Sequence, residues 1–222
     1  MGNNLKAPCL LKKGAEASLY VALWHGRKVV LKQRLPKRYR PSKLDDEIRF
    51  YRTVHEPQLM HEAKKAGVPT PTIFMVDVKN TMIIMDFVEG EQVKRLLGKA
   101  SATARHELCI EIGRLIGGLH GSGIIHGDLT TSNMIRNPEK KIVFVDFGLG
   151  EKSKELEIRG VDLHLMKRAL QSTHFRFAKE CFDAVMKGYS DILGAETMKT
   201  VLEKIMEIEK RGRYVAERRM EA

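Results

Sequence analysis

The chain has 222 residues, a net charge of +11 and a composition that is 43% hydrophobic and 30% charged. Its length suits one or two domains with a buried core, and its apolar runs are too short to span a bilayer. Cys9, Cys109 and Cys181 lack the spacing of a disulfide framework or a zinc site, and the first residues lack a secretory apolar region. We therefore expect a cytoplasmic protein.

The first part of the chain predicts β-strands and one helix. Residues 18–24 and 28–32 are strand-like, and His25-Gly26-Arg27 between them is typical of a hairpin. Residues 44–66 predict a helix that Pro57 should end or kink. Residues 73–78 and 81–87 predict a second strand pair with a turn at Lys79-Asn80.

Beyond Gly90 the apolar pattern becomes helical. Apolar residues recur at helical spacing in two stretches, Leu108, Ile112, Leu115, Ile116 and Leu119, and Val201, Ile205 and Ile208. A β-rich part followed by an α-rich part predicts an α+β fold with two lobes. We expect a β-rich N-terminal lobe over 1–88, a helical C-terminal lobe over 89–209 and a basic tail over 210–222.

The positive charge is clustered. Between Arg27 and Lys43 there is no acidic residue and there are eight basic ones: Arg27, Lys28, Lys32, Arg34, Lys37, Arg38, Arg40 and Lys43. A second cluster, Lys210, Arg211, Arg213, Arg218 and Arg219, lies at the end of the sequence. Such clusters favour a polyanionic partner, and without an apolar amphipathic face nucleic acid is favoured over a membrane.

The most informative segment runs from His126 to Asn133. It places Asp128 and Asn133 in one short stretch, and Asp146 follows the strand-like residues 141–145. Phosphoryl transfer from ATP uses one Asp to orient the attacking oxygen, and an Asn and an Asp to hold Mg²⁺ on the phosphates. The compound pattern predicts an ATP-dependent enzyme with Asp128 as the catalytic carboxylate and Asn133 and Asp146 as metal ligands.

These motifs resemble a protein kinase reduced to its nucleotide-handling parts. Within that superfamily the chain resembles the small atypical, RIO-like serine kinase/ATPase subunit of the KEOPS (EKC) complex, which makes threonylcarbamoyladenosine in tRNA. The resemblance covers nearly the whole chain. It rests on residues 13–17, 37–41, 44–45, 52–53, 126–133, 146–148, 161–163, 172–174 and 211–213.

The resemblance implies a site for ATP between the lobes. Lys13, Gly14, Ala15, Glu16 and Ala17 correspond to the phosphate-binding loop, and Lys32 to the strand lysine that contacts the α- and β-phosphates. Its acidic partner is Glu56 or, as the rival, Glu62. Met85, Asp86 and Val88 correspond to the hinge that binds adenine.

The resemblance also implies structural roles and two departures from ordinary kinases. His126 should brace the Asp146 turn, and Asp162 should bind the backbone of the catalytic loop. Gly127 replaces the Arg of the common His-Arg-Asp triplet, and Thr130 replaces the catalytic-loop Lys. The short span from Asp146 to Asp162 offers little platform for a peptide, so ATP hydrolysis could be the biological reaction.

Several functions compete. The leading one is an ATPase and serine/threonine kinase in the KEOPS complex, with a threonylcarbamoyl-transferase subunit, a small regulatory subunit and tRNA as partners implied by the resemblance. The alternatives are a free-standing RIO-type kinase, a small-molecule phosphotransferase and a non-catalytic pseudokinase scaffold. Intact Lys32, Asp128, Asn133 and Asp146 oppose the last, and the basic surface opposes the phosphotransferase.

Overall fold

The N-terminal lobe is built on one antiparallel sheet. The computed structural model describes the backbone of residues 5–220 and the side chains of residues 8–211. Five strands pair in the order β1-β2-β3-β5-β4. Their bounds are β1 Leu5–Lys13, β2 Ser18–Trp24, β3 Arg27–Gln33, β4 Ile73–Asp77 and β5 Met82–Asp86. The two predicted strand pairs are confirmed to within a few residues.

The strand register places Lys32 on the central strand of the sheet. Lys32 on β3 lies between Leu19 of β2 and Ile83 of β5. Alternate residues of these strands form a small core of Ala22, Val29, Leu31 and Ile84. The β2–β3 turn is tight because His25 and Gly26 both adopt positive φ, 50° and 77°.

Helix α1, Ser42–Lys65, packs against this sheet and continues through Pro57. Of the two outcomes expected for Pro57, an end or a kink, the structure excludes the end. A proline removes one backbone hydrogen bond of the helix. The preceding residue, Glu56, is held by the buried ion pairs described below, and these contacts stabilise the helix at this point. Leu59, Met60 and Ala63, also buried, join α1 to the main hydrophobic core.

The C-terminal lobe is mainly helical. Its helices are α2 Val93–Lys99, α3 Ala102–Gly121, α4 Leu156–Thr173, α5 Ala178–Leu193 and α6 Ala195–Met220. Its short strands are β6 Glu91–Gln92, β7 Ile124–Ile125, β8 Met134–Arg136, β9 Ile142–Phe144 and β10 Glu151–Lys152. The predicted α+β fold with two lobes is confirmed, and the change to helical structure falls just after Gly90.

Glycines allow α3 and α5 to pack closely. A Cβ on Gly113 would lie 1.9 Å from the carbonyl oxygen of Val185, and one on Gly188 would lie 1.9 Å from that of Ile110. Any side chain at either position would therefore push the two helices apart.

The predicted start of a tail at residue 210 does not coincide with the end of a helix. Helix α6 runs on to Met220, and the side chain of Arg211 pairs with Glu157 of α4. The tail arginines Arg213, Arg218 and Arg219 lie outside the described side chains. None of the described helices has the length and apolar character needed to cross a membrane.

Candidate active site

The motif residues of both lobes meet at one cavity. It has a volume of 280 Å³ and lies between the loop that joins β1 to β2 and the catalytic segment of the C-terminal lobe. Its lining includes Lys32, Asp128, Asn133 and Asp146. The cavity thus brings together the four polar side chains that the sequence motifs singled out.

Lys32 is held by two carboxylates. Its Nζ donates to Glu56 Oε1 and to Asp146 Oδ1, each at 2.7 Å. The structure therefore brings Glu56 to Lys32, whereas the rival Glu62 pairs with Lys152 at 2.5 Å on the surface. The contact fixes α1 against the sheet and joins the N-terminal lobe to the turn that carries Asp146.

A second cation, Arg34, shares the carboxylate of Glu56. Arg34 is 3% exposed, binds Glu56 Oε2, and donates to Thr53 Oγ1 at 3.3 Å. Lys32 on one oxygen and Arg34 on the other leave both oxygens of the buried Glu56 carboxylate paired. Together with the half-exposed Asp146, these residues form a group of two cations and two carboxylates with no net charge.

Asp146 lies at a strained turn at the end of β9. Its φ of 68° is in the left-handed region, which Asp and Asn enter more readily than most residues. Desolvation opposes its ionisation, but the charge and hydrogen bond of Lys32 outweigh it and hold the pKa of Asp146 below its ordinary value. The carboxylate is therefore ionised at neutral pH, as a metal ligand requires.

Asp128 and Asn133 are bound to each other. Asn133 Nδ2 donates to Asp128 Oδ2 at 2.7 Å and to the Asp128 carbonyl at 3.0 Å. These bonds fix the Asn133 amide, whose Oδ1 is its remaining polar atom. Asp146 similarly engages Lys32 through Oδ1, which leaves Oδ2.

The oxygen donors fit Mg²⁺. Asn133 Oδ1 and Asp146 Oδ2 belong to the hard ligand class that this ion prefers. Among the described residues, no group of three or more His, Cys, Asp or Glu side chains could hold a metal by itself. Two protein ligands are typical of a magnesium ion that also binds nucleotide phosphates and water.

A line of hydrogen bonds connects three helices of the C-terminal lobe to the catalytic loop. Tyr189 of α5 and Asp162 of α4 both bind His120 of α3, at 3.1 and 3.2 Å, and all three are buried. Asp162 in turn accepts the backbone N–H groups of His126 and Gly127, both at 2.9 Å. The expected structural role of Asp162 is confirmed.

His126 is a structural residue of the same loop. Its Nε2 donates to the Val145 carbonyl at 3.2 Å, and its Nδ1 accepts the Asp128 N–H at 3.2 Å. Burial lowers its pKa, so the ring is neutral with the proton on Nε2. As expected from the sequence, His126 braces the turn that precedes Asp146.

Gly127 occupies a position that no side chain fits. Its φ is 78°, and a Cβ would lie 2.1 Å from the Leu149 carbonyl oxygen. The departure from the kinase triplet therefore has a steric cause here, because the backbone after Asp146 runs directly over this residue. The catalytic loop and the segment after Asp146 are locked together at this point.

The phosphate loop and the hinge candidates lie apart. Gly14, Ala15, Glu16 and Ala17 line the cavity together with Lys12, whereas the exposed Lys13 does not. The hinge candidates Met85, Asp86 and Val88 lie at the end of β5 and just beyond it, and they do not line this cavity. The cavity therefore corresponds to the phosphate end of the expected nucleotide site.

The basic run is less available to a partner than its composition suggests. Of its eight residues, Lys32 and Arg34 are buried in ion pairs and Arg40 binds Glu16 at 2.7 Å. Those with exposed side chains are Arg27, Lys28, Arg38 and Lys43.

The structural roles of Arg34, Arg40 and Arg52 were not predicted from the sequence. One signal was available for Arg34, since it follows Lys32 by two residues and strand residues two apart share a face. The pairing of Arg40 and Arg52 with Glu16, at 2.7 and 2.8 Å, brings together three separate segments. No local pattern predicts such a contact.

The segment after the catalytic turn is short. Seven residues, Leu149–Glu155, separate Gly148 from the start of α4 at Leu156. Within them β10 pairs with β7, with Glu151 opposite Ile125 and Lys152 opposite Ile124. This segment is held to the lobe and leaves no extended platform for a peptide.

Comparison with known families and proteins agrees with this geometry. The protein kinase domain family matches residues 11–175. A solved structure of Rv3197 with erythromycin from Mycobacterium tuberculosis aligns with 80% of the chain and 55% of its own, with a TM-score of 0.53 and 13% identity. That similarity concerns the fold alone.

Curated relatives are closer in sequence. The chain is 47% identical to the KEOPS complex subunit Bud32 of Pyrococcus abyssi, over 92% of this chain and 96% of the relative. It is 37% identical to the EKC/KEOPS complex subunit bud32 of Dictyostelium discoideum, over 92% of this chain and 82% of the relative. It is also 45% identical to a probable bifunctional tRNA threonylcarbamoyladenosine biosynthesis protein of Methanothermobacter thermautotrophicus, but covers only 37% of that longer chain.

Proposed function

Because this chain belongs to the protein kinase family and, within it, to the Bud32 subunits of KEOPS complexes, we propose that it is a Mg-ATP-dependent ATPase and atypical serine/threonine kinase. We propose that it acts in the modification of tRNA to threonylcarbamoyladenosine. The observation that carries the enzymatic part is the meeting of Lys32, Asp128, Asn133 and Asp146 at one cavity.

Nucleotide binding requires an exchange of partners at Lys32. The ammonium group binds Glu56 and Asp146 in this structure. In the proposed complex the α- and β-phosphates replace Asp146 on Lys32, and Asp146 and Asn133 are the residues that would hold Mg²⁺ on the phosphates. Arg34 keeps Glu56 paired during this exchange, so α1 need not move.

The chemical step relies on Asp128. Its carboxylate orients the attacking oxygen and accepts its proton as the bond to the γ-phosphorus forms and the bond to the β–γ bridging oxygen breaks. With water as the nucleophile the products are ADP and inorganic phosphate, and with a serine hydroxyl they are ADP and phosphoserine. Bound Mg²⁺ neutralises phosphate charge.

We propose hydrolysis as the main reaction. The seven residues Leu149–Glu155 are tied down by the β7–β10 pair, so they cannot extend into a docking strand for a peptide. Water needs no such platform. A serine on a flexible segment of the chain or of a bound subunit would still reach Asp128, which allows limited phosphorylation.

Assembly with other subunits is inferred from the relatives. The longer archaeal relatives carry the word bifunctional in their names and match this chain over only 37% and 38% of their length. A kinase-like part joined to a second part in one chain is consistent with a stable complex where the two are separate. We propose a threonylcarbamoyl-transferase subunit, a small regulatory subunit and tRNA as partners, and the cytoplasm as their location.

ATP turnover with purified components tests this function. We expect Mg²⁺-dependent release of phosphate that rises when tRNA and the transferase subunit are both added. A Lys32→Met variant should lose the activity while its thermal unfolding shows a folded protein. Folded wild-type protein that neither binds nor hydrolyses Mg-ATP, alone or with these partners, would contradict the proposal.

A further inference from the structure

A carboxylate lies in the loop that should cover the phosphates. Residues 14–17 join β1 to β2 as a tight turn, closed by the hydrogen bond from Gly14 N–H to the Ala17 carbonyl at 2.9 Å. Glu16 lies in this turn and lines the phosphate end of the cavity. An unneutralised carboxylate here would repel ATP, since like charges at close range disfavour one another.

Two arginines neutralise Glu16. Arg40 binds both its oxygens, at 3.2 and 2.7 Å, and Arg52 binds Oε2 at 2.8 Å. The hydrogen bond from Arg40 is the main cause that holds the pKa of Glu16 below its ordinary value. Arg40 also lies 3.6 Å from Asp45 Oδ1, whereas Arg52 pairs with Glu16 alone among the described residues.

The two arginines differ in what they face. Arg52 lines the cavity, whereas Arg40 does not. Arg40 engages Glu16 through both terminal nitrogens, and Arg52 does so through Nη1 alone. Because a guanidinium has five N–H donors, Arg52 retains donors for a second acceptor inside the cavity.

Arg52 is also placed by the element that carries Glu56. It precedes Glu56 by four residues in α1, so the two side chains leave the helix on the same face. In the proposed complex Lys32 binds the α- and β-phosphates, and Arg34 is held by Glu56 and Thr53. Among the cationic side chains that line the cavity, Arg52 is the one whose described acidic partner, Glu16, belongs to the loop of residues 14–17.

The catalytic loop supplies no cation for the transferring group. Thr130 stands where ordinary kinases have a lysine, and Thr131 and Ser132 follow it. A cation at the γ-phosphate stabilises the charge that spreads over its oxygens as it transfers. Any such cation must therefore come from another element.

We propose that Arg52 binds the terminal phosphate of ATP and supplies this cation, while Arg40 keeps Glu16 neutralised. The inference rests on the proposed function and adds a residue that distinguishes ATP from ADP. The loop thereby closes over the γ-phosphate through Arg52, with Glu16 holding the guanidinium in place. ADP, which lacks that phosphate, forms no such contact.

The test compares Arg52→Gln with Arg40→Gln by measuring the dissociation constants of Mg-ATP and Mg-ADP. A charge-assisted contact to the γ-phosphate predicts that Arg52→Gln weakens ATP binding about tenfold or more and changes ADP binding less than about twofold. Arg40→Gln disturbs only the loop, so it should change both constants by the same factor. Arg52→Lys, which keeps the charge, should recover part of the ATP preference, and kcat should follow the same order.

The outcomes separate the two proposals. Wild-type protein that binds no nucleotide contradicts the proposed function. Wild-type protein that turns over ATP, with Arg52→Gln and Arg52→Lys shifting ATP and ADP equally, retains the function but shows that Arg52 only fastens the loop. Thermal unfolding of each variant ensures that binding is compared between folded proteins.

Discussion

Arg34 binds the carboxylate of Glu56 on the oxygen that Lys32 does not use. Both oxygens of this buried carboxylate are therefore paired, and two cations rather than one hold α1 to the sheet. If Lys32 were the only partner of Glu56, breaking that one ion pair would release α1 from the sheet. Here a second buried cation, on the same strand face as Lys32, retains the helix.

The first prediction concerns this second cation. Arg34→Met leaves one oxygen of a buried carboxylate unpaired, so we expect unfolding free energy to fall by about 2–4 kcal/mol. The exposed Arg38 provides the control, and Arg38→Met should change it by less than about 0.5 kcal/mol. Urea denaturation measures both. Equal stability of the two variants would show that Lys32 alone suffices for Glu56.

The second prediction separates the two glutamates. Glu56→Gln leaves two buried cations facing a neutral amide, and we expect a loss of about 3–5 kcal/mol and a marked fall in ATP turnover. Glu62→Gln removes only a surface pair with Lys152, worth less than about 1 kcal/mol. Steady-state kinetics and denaturation on both variants decide. The reverse ranking would transfer the role to Glu62.

The third prediction concerns the proposed magnesium ligand. Asp146→Asn is preferable to Ala, because Asn tolerates the φ of 68° at this turn. We expect ATP turnover to fall about 100-fold or more, since charge stabilisation at the phosphates is lost. Stability should change little, because this side chain is 48% exposed and Lys32 keeps Glu56. A folded variant with full turnover would remove Asp146 from the site.

The fourth prediction uses two glycines with nearly the same backbone conformation. Gly127 and Gly26 have φ of 78° and 77°, but only Gly127 lies against another backbone, while nothing lies within 4 Å of a Cβ on Gly26. Gly26→Ala should cost about 1 kcal/mol for the left-handed conformation alone. Gly127→Ala should cost several times more and reduce turnover, because it separates the Leu149 carbonyl from the catalytic loop. Similar effects of both substitutions would mean that the backbone relaxes at Gly127 without penalty.

The fifth prediction concerns the basic C-terminus. Deleting residues 212–222 removes Arg213, Arg218 and Arg219 but retains the pair between Arg211 and Glu157. If these arginines neutralise tRNA phosphates, the slope of log affinity against log salt should fall by about one for each arginine that does so. The dissociation constant of Mg-ATP should be unaffected. An unchanged slope, with and without partner subunits, would assign this end to something other than tRNA.

Local patterns in the sequence predicted which residues form the site better than they predicted which residues pair with one another. The strand–turn–strand pattern of residues 18–32 and the compound motif of Asp128, Asn133 and Asp146 are short-range signals, and the structure places those residues as expected around one cavity. The choice of Glu56 over Glu62 depended on whether α1 continues through Pro57, which is decided by tertiary contacts. The pairing of Arg40 with Glu16 could not be predicted, because a run of basic residues has the same sequence whether its side chains face solvent or a carboxylate.

The line from Tyr189 through His120 and Asp162 to the backbone of His126 and Gly127 joins three helices to the catalytic loop. The shape of that loop is therefore a property of the packed helical lobe rather than of the loop itself. When α4 separates from the lobe on heating, Asp162 moves with it, and the N–H groups of His126 and Gly127 lose their acceptor at the same moment. Heat inactivation should consequently coincide with melting of the helical lobe, with no temperature range in which a folded lobe carries a disordered catalytic loop.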